Sequence, residues 1–415
     1  MLLEKRCPPK VANHARPSVS KAGETASAVT HPPSGPIAAG AVALNAYARP
    51  DTKTSTGTST QEKSRPIARK SSDYIELVTL EAWCRLKRGP VGTGVEGVIM
   101  RYKIGIVGAG NVGGTTAQRI AERNYANIVL LDIPAAEGIA KGKALDIQES
   151  GPVLGYDTKL TGGSNHADLE DCDVVVVTAG SPRKPGMSRD DLVAINTAVM
   201  NEWGGAIREF APGAIVIVVT NPLDAMAQAV FRATGFPRER ILGMAGVLDS
   251  ARFRSFIASE LRVSVSDVTA FVLGGHGDTM VPLARYSTVA GVPLPELLPA
   301  ETIAALAERT ANGGAEIVNL LQSGSAFYAP SASVLAMVDS IILDQRRVLP
   351  CSVYLDGEYG YHDVFMGVPV TVGAGGVEEI VQIDLTEEEK SALDRSAESV
   401  QELLAVMNDR AGVGR

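Results

Sequence analysis

A histidine flanked by glycines at the end of a strand is where this chain first offers proton chemistry. Phe271-Val272-Leu273 reads as a short strand and runs into Gly274-Gly275-His276-Gly277-Asp278. Of the five histidines, those at 14, 31 and 166 lie in polar or irregular sequence and His362 in a Tyr/Gly-rich turn. Glycine neighbours leave the His276 ring approachable, and imidazole is the natural base for an alcohol proton near neutral pH. A carboxylate behind the ring would fix its tautomer and favour the imidazolium. Asp249, near the first turn of a helix expected over 245–261, is the candidate. Spacing alone does not bring the two side chains together. A packed histidine and a helix-capping aspartate stay open as plainer readings.

A second polar segment suits anion binding. Ala179 to Arg189 follows an apolar run and holds Arg183, Lys184 and Arg189 with two prolines and two glycines. Arginine matches a carboxylate through paired N–H donors, so this loop could close over a bound anion. Taken alone, a solvated basic turn is the competing reading.

The third constellation binds phosphate. Tyr102 to Val107 is apolar and leads into Gly108-Ala109-Gly110-Asn111-Val112-Gly113, a helical stretch expected over 115–123, and a second apolar run, 128–131, ending in Asp132. Gly108 allows the tight turn, Gly110 lets backbone approach a pyrophosphate, and Gly113 lets helix and strand pack closely. The helix start supplies unpaired N–H groups and the positive dipole end. Asp132 would accept from ribose hydroxyls and repel a 2′-phosphate, which favours NAD over NADP. A lone G-x-G-x-x-G is weak; the flanking strands and the placed acid make it specific.

The elements that must position these groups alternate. Val174 to Thr178 and Ala214 to Val219 are continuous apolar runs, as expected for strands buried on both faces of a parallel sheet. Helices are expected over 190–210 and 223–233. Strand alternating with helix implies an α/β fold with a doubly wound parallel sheet, whose ligands bind beyond the carboxyl ends of the strands. Gly108–Gly113, Ala179–Arg189 and Asn221 all fall there. Beyond residue 244 the sequence mixes helices with short strands such as Val368 to Val372. A last helix is expected over 387–407.

Composition limits the alternatives. The chain has 415 residues, 45% apolar and 21% charged, which is a globular mix with material for two or three domains. It contains no apolar run long enough for a membrane span. Four scattered cysteines without C-x-x-C spacing argue against a disulfide framework or a zinc site, and no metal is expected. Charge is unevenly spread: residues 1–99 carry 14 basic and 8 acidic residues, whereas the other 316 carry 25 and 39. The acidic body argues against nucleic-acid binding by 100–415. Residues 1–70 are rich in Ala, Ser, Thr and Pro without a persisting period, so no fixed fold is expected there. Residues 74–86 could form one short element, and 89–97 read as a Gly-rich linker. Three readings of 1–99 stand: a transit segment, a basic tail touching nucleic acid or anionic lipid, or a gene start placed upstream of a working start at Met100.

From Met100 to about Met407 the chain resembles the lactate/malate dehydrogenase family, nearest its lactate-dehydrogenase-like malate dehydrogenases. The resemblance rests on Gly108–Gly113, Leu131-Asp132-Ile133, the run from Arg183 to Leu192, Thr220-Asn221-Pro222-Leu223-Asp224, Leu248-Asp249-Ser250-Ala251-Arg252 and Gly275-His276-Gly277-Asp278. It implies a Rossmann domain over 100–243 that binds NAD and a mixed α+β substrate domain over 244–415. It implies that His276 takes the malate hydroxyl proton, that Asp249 stabilises the charged ring, and that Arg252 pairs with the carboxylate beside the reacting carbon. Arg189 would polarise the keto carbonyl, and Arg183 would bind the second carboxylate where lactate enzymes are uncharged. Asn221 would touch substrate and cofactor. Asn196 and the backbone near Val219 would line the nicotinamide side, and Thr220 and the glycine-loop residues Ala109, Asn111 and Val112 would also contact the cofactor. Gly324 would fall near the pocket wall. The resemblance further implies a cytoplasmic enzyme of the tricarboxylic acid cycle, a homo-oligomer (dimer or tetramer). Lactate or another 2-hydroxyacid is the alternative substrate, and a non-catalytic nucleotide-binding protein is the remote alternative.

Overall fold

The computed structural model describes residues 101–182 and 188–411. The expectations for residues 1–100 and for Arg183 to Met187 lie outside them. Strands β1 (Tyr102–Val107), β2 (Ala126–Leu131), β3 (Leu160–Gly163), β4 (Val174–Val177), β5 (Ile215–Val218) and β6 (Ile241–Gly243) pair in parallel, in the order 3-2-1-4-5-6. Every residue of β4 (Val-Val-Val-Val) is buried, and so is every residue of β5 (Ile-Val-Ile-Val). Such β-branched runs fit a pleated surface covered on both faces. The connections carry α1 (Asn111–Ala121), α2 (Glu137–Leu154), α3 (Arg189–Phe210) and α4 (Leu223–Thr234). Strand order reverses between β1 and β4, which opens a crevice at their carboxyl ends where the two expected ligand loops begin.

Helix α1 starts at Asn111, four residues earlier than the sequence reading. Gly113 and Gly114 lower helix propensity and obscured its first turn. Packing requires at least the first of them, because a Cβ on Gly113 would stand 1.8 Å from the Gly108 carbonyl oxygen. Helix α3 begins behind a capping box, with Ser188 Oγ accepting from the Asp191 N–H and the Asp191 carboxylate accepting from the Ser188 N–H.

The second half opens with α5 (Ala245–Leu261) and a two-stranded ribbon of β7 (Val272–Leu273) and β8 (Val281–Pro282), with the His276 loop between them. Then follow α6 (Ala300–Leu321), α7 (Tyr328–Ile342), β9 (Arg347–Asp356), β10 (His362–Gly373), β11 (Gly376–Ile380) and α8 (Glu387–Ala411). The expected short strand at Val368 to Val372 is one part of the 12-residue β10. Gly367, just ahead of that expected strand, does not end it. Gly367 instead brings the backbone against Gly274, with N–H···O bonds of 2.9 and 3.0 Å in both directions. Strands β9 to β11 run antiparallel and join the Rossmann sheet where Ser352 pairs with Gly243, giving nine strands in one sheet. One buried apolar core follows this sheet across both halves, and a smaller cluster around Phe253, Val268 and Leu294 lies under α5. Among the described residues no helix is long and apolar enough to cross a membrane.

Candidate active site

The glycine loop after β1 is held from both ends. Gly108, in the left-handed region at φ 100°, donates to the Leu131 carbonyl at 2.7 Å, and its own carbonyl accepts from Thr178 Oγ1 at 2.9 Å. The Ala109 N–H donates to Asp132 Oδ2 at 2.7 Å, and Asp132 Oδ1 accepts from the Ile133 N–H at 2.8 Å. Each carboxylate oxygen keeps lone-pair capacity for a further donor, as contact with a ribose diol requires. Gly110 and Asn111 are exposed, and a Cβ on Gly110 would meet nothing within 4 Å. Val112 packs against the core. An open backbone face at a helix start beside an acidic strand end fits a dinucleotide.

The loops after β4 and β5 are tied to each other. Asn196, wholly buried on α3, accepts from the Ser181 N–H at 2.8 Å and donates to the Asn221 carbonyl at 2.7 Å. Its amide also donates to the Ser181 carbonyl, at 3.2 Å. Asn196, expected on the nicotinamide side, thus pins the two loops there through its amide. Thr220 is likewise buried and donates to the Ala179 carbonyl at 2.7 Å, and Val219 is buried beside it. Asn221 is exposed at the mouth of the crevice.

The candidate proton-transfer centre gathers the His276 loop with residues of α4, α5, α8 and β9. Asp249, on the second turn of α5, lies 2.8 Å from His276 Nδ1 through its Oδ2. The side chains of His276 and Asp249 are 13% and 2% exposed. Asp249 therefore sits past the capping position of α5 and faces the His276 ring. The Arg252 guanidinium reaches Asp249 Oδ1 at 3.4 Å, a long contact, and its buried Nε has no hydrogen-bond partner among the described residues. A planar donor fork left largely uncommitted beside a histidine suits a carboxylate.

A second carboxylate completes the centre, and the sequence reading gave it no role. Asp224, buried at the start of α4, accepts the His276 backbone N–H at 2.8 Å through Oδ2 and the Ser352 hydroxyl at 2.7 Å through Oδ1. Asp224 stood inside a quoted motif, but nothing marked it as buried; Ser352, on β9, carried no signal at all. Helix α8 holds the loop from the other side, with Ser396 Oγ accepting from the Gly275 N–H at 2.8 Å. Gly275 has no room for a side chain, since a Cβ there would lie 2.7 Å from Val400.

Charge follows from this packing. Burial pushes the His276 pKa down, but the Asp249 charge and hydrogen bond, with Asp224 adding to them, outweigh it, and the net shift is upward from 6.5. Arg252, close to the ring, opposes that rise. Burial pushes Asp224 upward against its bonds from Ser352 and the His276 N–H. Burial lowers Arg252, with Asp249 acting the other way. Arg183 lies outside the described residues, and of Arg189 only its place at the first position of α3 is described. Gly324 sits in the turn between α6 and α7, and no described hydrogen bond links it to this centre.

Two family models match the chain: the NAD-binding domain of lactate/malate dehydrogenase over residues 102–243 and the corresponding α/β C-terminal domain over 246–411. A malate dehydrogenase of Bacillus cytotoxicus is 54% identical over 310 residues, which is 75% of this chain and 99% of the relative. The solved apo malate dehydrogenase of Picrophilus torridus superposes with a TM-score of 0.74 at 47% identity, covering 76% of this chain and 100% of that one. A lactate dehydrogenase of Cryptosporidium parvum, solved with lactic acid and its nicotinamide cofactor, gives 0.72 at 39% identity, with coverage of 75% and 99%.

Proposed function

The chain belongs to the lactate/malate dehydrogenase family, and on that premise we propose that it catalyses the reversible, NAD-dependent oxidation of (S)-malate to oxaloacetate. The observation that carries this reading is the buried Asp249–His276 pair beside a guanidinium with unspent donors.

Bound NAD would supply the hydride acceptor. The protein supplies position and charge. With Nδ1 donating to Asp249, the neutral ring presents Nε2 as the base that takes the hydroxyl proton, and the resulting imidazolium faces a carboxylate. In the other direction the same ring returns the proton to the carbonyl oxygen. Arg252 holds the carboxylate next to the reacting carbon. Arg189 polarises the carbonyl, and Arg183 pairs with the second carboxylate that distinguishes malate from lactate. Asn221, at the crevice mouth, touches both ligands. The loop Gly108–Gly113 and Asp132 hold the pyrophosphate and the adenosine ribose.

Two finer readings go with this one. We assign the reaction to the tricarboxylic acid cycle in the cytoplasm. We also assign the enzyme to a homo-oligomer, a dimer or tetramer, a reading supported by the exposed apolar side chains Ile139, Leu145, Val153 and Leu154 on α2. Light scattering tests the assembly and fractionation of the native source tests the compartment.

The deciding assay follows NADH oxidation with oxaloacetate beside pyruvate. Oxaloacetate is expected to be turned over far faster, and Arg183→Gln to cut its turnover far more than that of pyruvate. Equal losses with both substrates would remove Arg183 from substrate selection. A preference of the wild-type enzyme for pyruvate would move the chain to the lactate side of the family.

A further inference from the structure

The glycine loop carries a partner that no motif announces. Lys143, in the middle of α2, reaches back to the loop and donates from Nζ to the Ala109 carbonyl at 2.8 Å and to the Gly110 carbonyl at 2.9 Å. Its path runs over Gly114, where a Cβ would stand 3.0 Å from Lys143 Cδ. The glycine following the G-x-G-x-x-G pattern therefore has a use of its own: it leaves the lysine stem a passage. The ammonium also lies close enough to Asp132 to feel its charge. The loop is thus clamped between an acid on the Ala109 N–H and a base on the next two carbonyls.

Peptide geometry gives this contact a direction. A trans peptide sets its N–H and C=O on opposite edges. Drawing the carbonyls of Ala109 and Gly110 toward Lys143 turns the N–H groups of Gly110 and Asn111 away from it. Both residues are exposed, and these N–H groups stand at the start of α1. We infer that Lys143 is a positioning residue of the dinucleotide site. It fixes the two peptide planes that aim the Gly110 and Asn111 N–H groups at a pyrophosphate, and it places a full positive charge behind them. The inference rests on the NAD-binding reading of this loop. It adds a residue to that site and places a cation at the loop within an acidic protein.

The test uses the full-length protein and three ligands that share a nucleoside: adenosine, ADP-ribose and NADH, titrated by calorimetry at low and high NaCl. Lys143→Met is expected to weaken ADP-ribose and NADH about tenfold, the scale of one charge-assisted contact. Adenosine affinity is expected to stay within about twofold, because that ligand has no phosphate. The variant's ADP-ribose affinity should also depend less on salt than the wild type's, as loss of a fixed charge near the anion requires. Lys143→Arg should restore most of the binding. Equal weakening of all three ligands would reduce Lys143 to a scaffold residue and overturn the inference, as would unchanged affinity for all three. If the wild-type protein binds neither NADH nor ADP-ribose, the nucleotide reading itself fails, and this inference with it.

Discussion

Two glycine-flanked loops carry the candidate sites of this molecule, and they are built in opposite ways. The Gly108–Gly113 loop follows a strand of the parallel sheet and stays open, with Gly110 and Asn111 exposed. It offers backbone N–H groups, and its charged neighbours Asp132 and Lys143 act on that backbone. The Gly274–Asp278 loop sits between two short antiparallel strands. It offers one side chain, and buried groups from α4, α5, α8 and β9 fix it, directly or through Asp224. A ligand held by many weak, oriented dipoles needs an exposed, shaped surface. A proton that must move on and off one nitrogen needs a dry, charged enclosure, where each interaction is stronger and each loss larger.

That contrast can be broken experimentally. The largest effect is expected at His276. His276→Asn should lower kcat about a thousandfold while leaving the NADH dissociation constant unchanged, as stopped-flow turnover and fluorescence titration would record. Retained turnover would take His276 out of the mechanism. The reverse dissociation is expected at Gly113. Gly113→Ala forces a methyl against the Gly108 carbonyl and should weaken NADH binding by about 2–3 kcal/mol, roughly a hundredfold, by the same titration. Native-like NADH affinity in that variant would mean that the loop relaxes cheaply.

Asp224 sharpens the comparison, because it acts on His276 through backbone and charge without touching the reacting atoms. Asp224→Asn keeps an acceptor for the His276 N–H but removes the charge. It should cost about tenfold in kcat/KM and shift the histidine ionisation in the pH profile downward. A tenfold loss with an unmoved profile would leave Asp224 a purely mechanical support. The smallest effect lies in the wild-type profile itself. The two carboxylates favour the imidazolium, so the bend in the profile is expected above 6.5. Oxaloacetate reduction needs the protonated ring and should fall as pH rises through that point. Malate oxidation needs the neutral ring and should rise. Steady-state rates in both directions would check the sign.

The same contrast explains what could be read from the sequence. The nucleotide loop is local: its strand, turn, helix and acid lie within residues 102–132, so spacing alone conveyed its purpose. The valine and isoleucine runs of β4 and β5 conveyed the buried sheet in the same way. The catalytic centre is non-local, and no spacing rule joins Asp224, Asp249, His276 and Ser352. Asp249 and His276 were legible as types suited to a proton relay. Asp224 looked like one more acid at a helix start, and Ser352 like any serine in a strand. That Asn196 ties two loops together was not legible, because its bonds go to backbone, which sequence does not record. The first turn of α1 and the start of β10 were obscured by glycines, which here allow close backbone approach.

The seam of the sheet has a consequence for the autonomy of the two halves. Residues 102–243 match an NAD-binding-domain family model, which invites treating them as a module that could be cut out or exchanged. Yet β6 finds its outer neighbour only in β9, and the buried Asp224 finds both its hydrogen-bond donors, Ser352 and the His276 N–H, only in the second half. A fragment ending at Gly243 would therefore carry a bare strand edge and expose Asp224 without the two donors it has here. Grafting this half onto another catalytic half would succeed only if the donor brought a strand with a hydroxyl at the Ser352 position. The unit that evolution or an engineer can exchange here is the whole sheet.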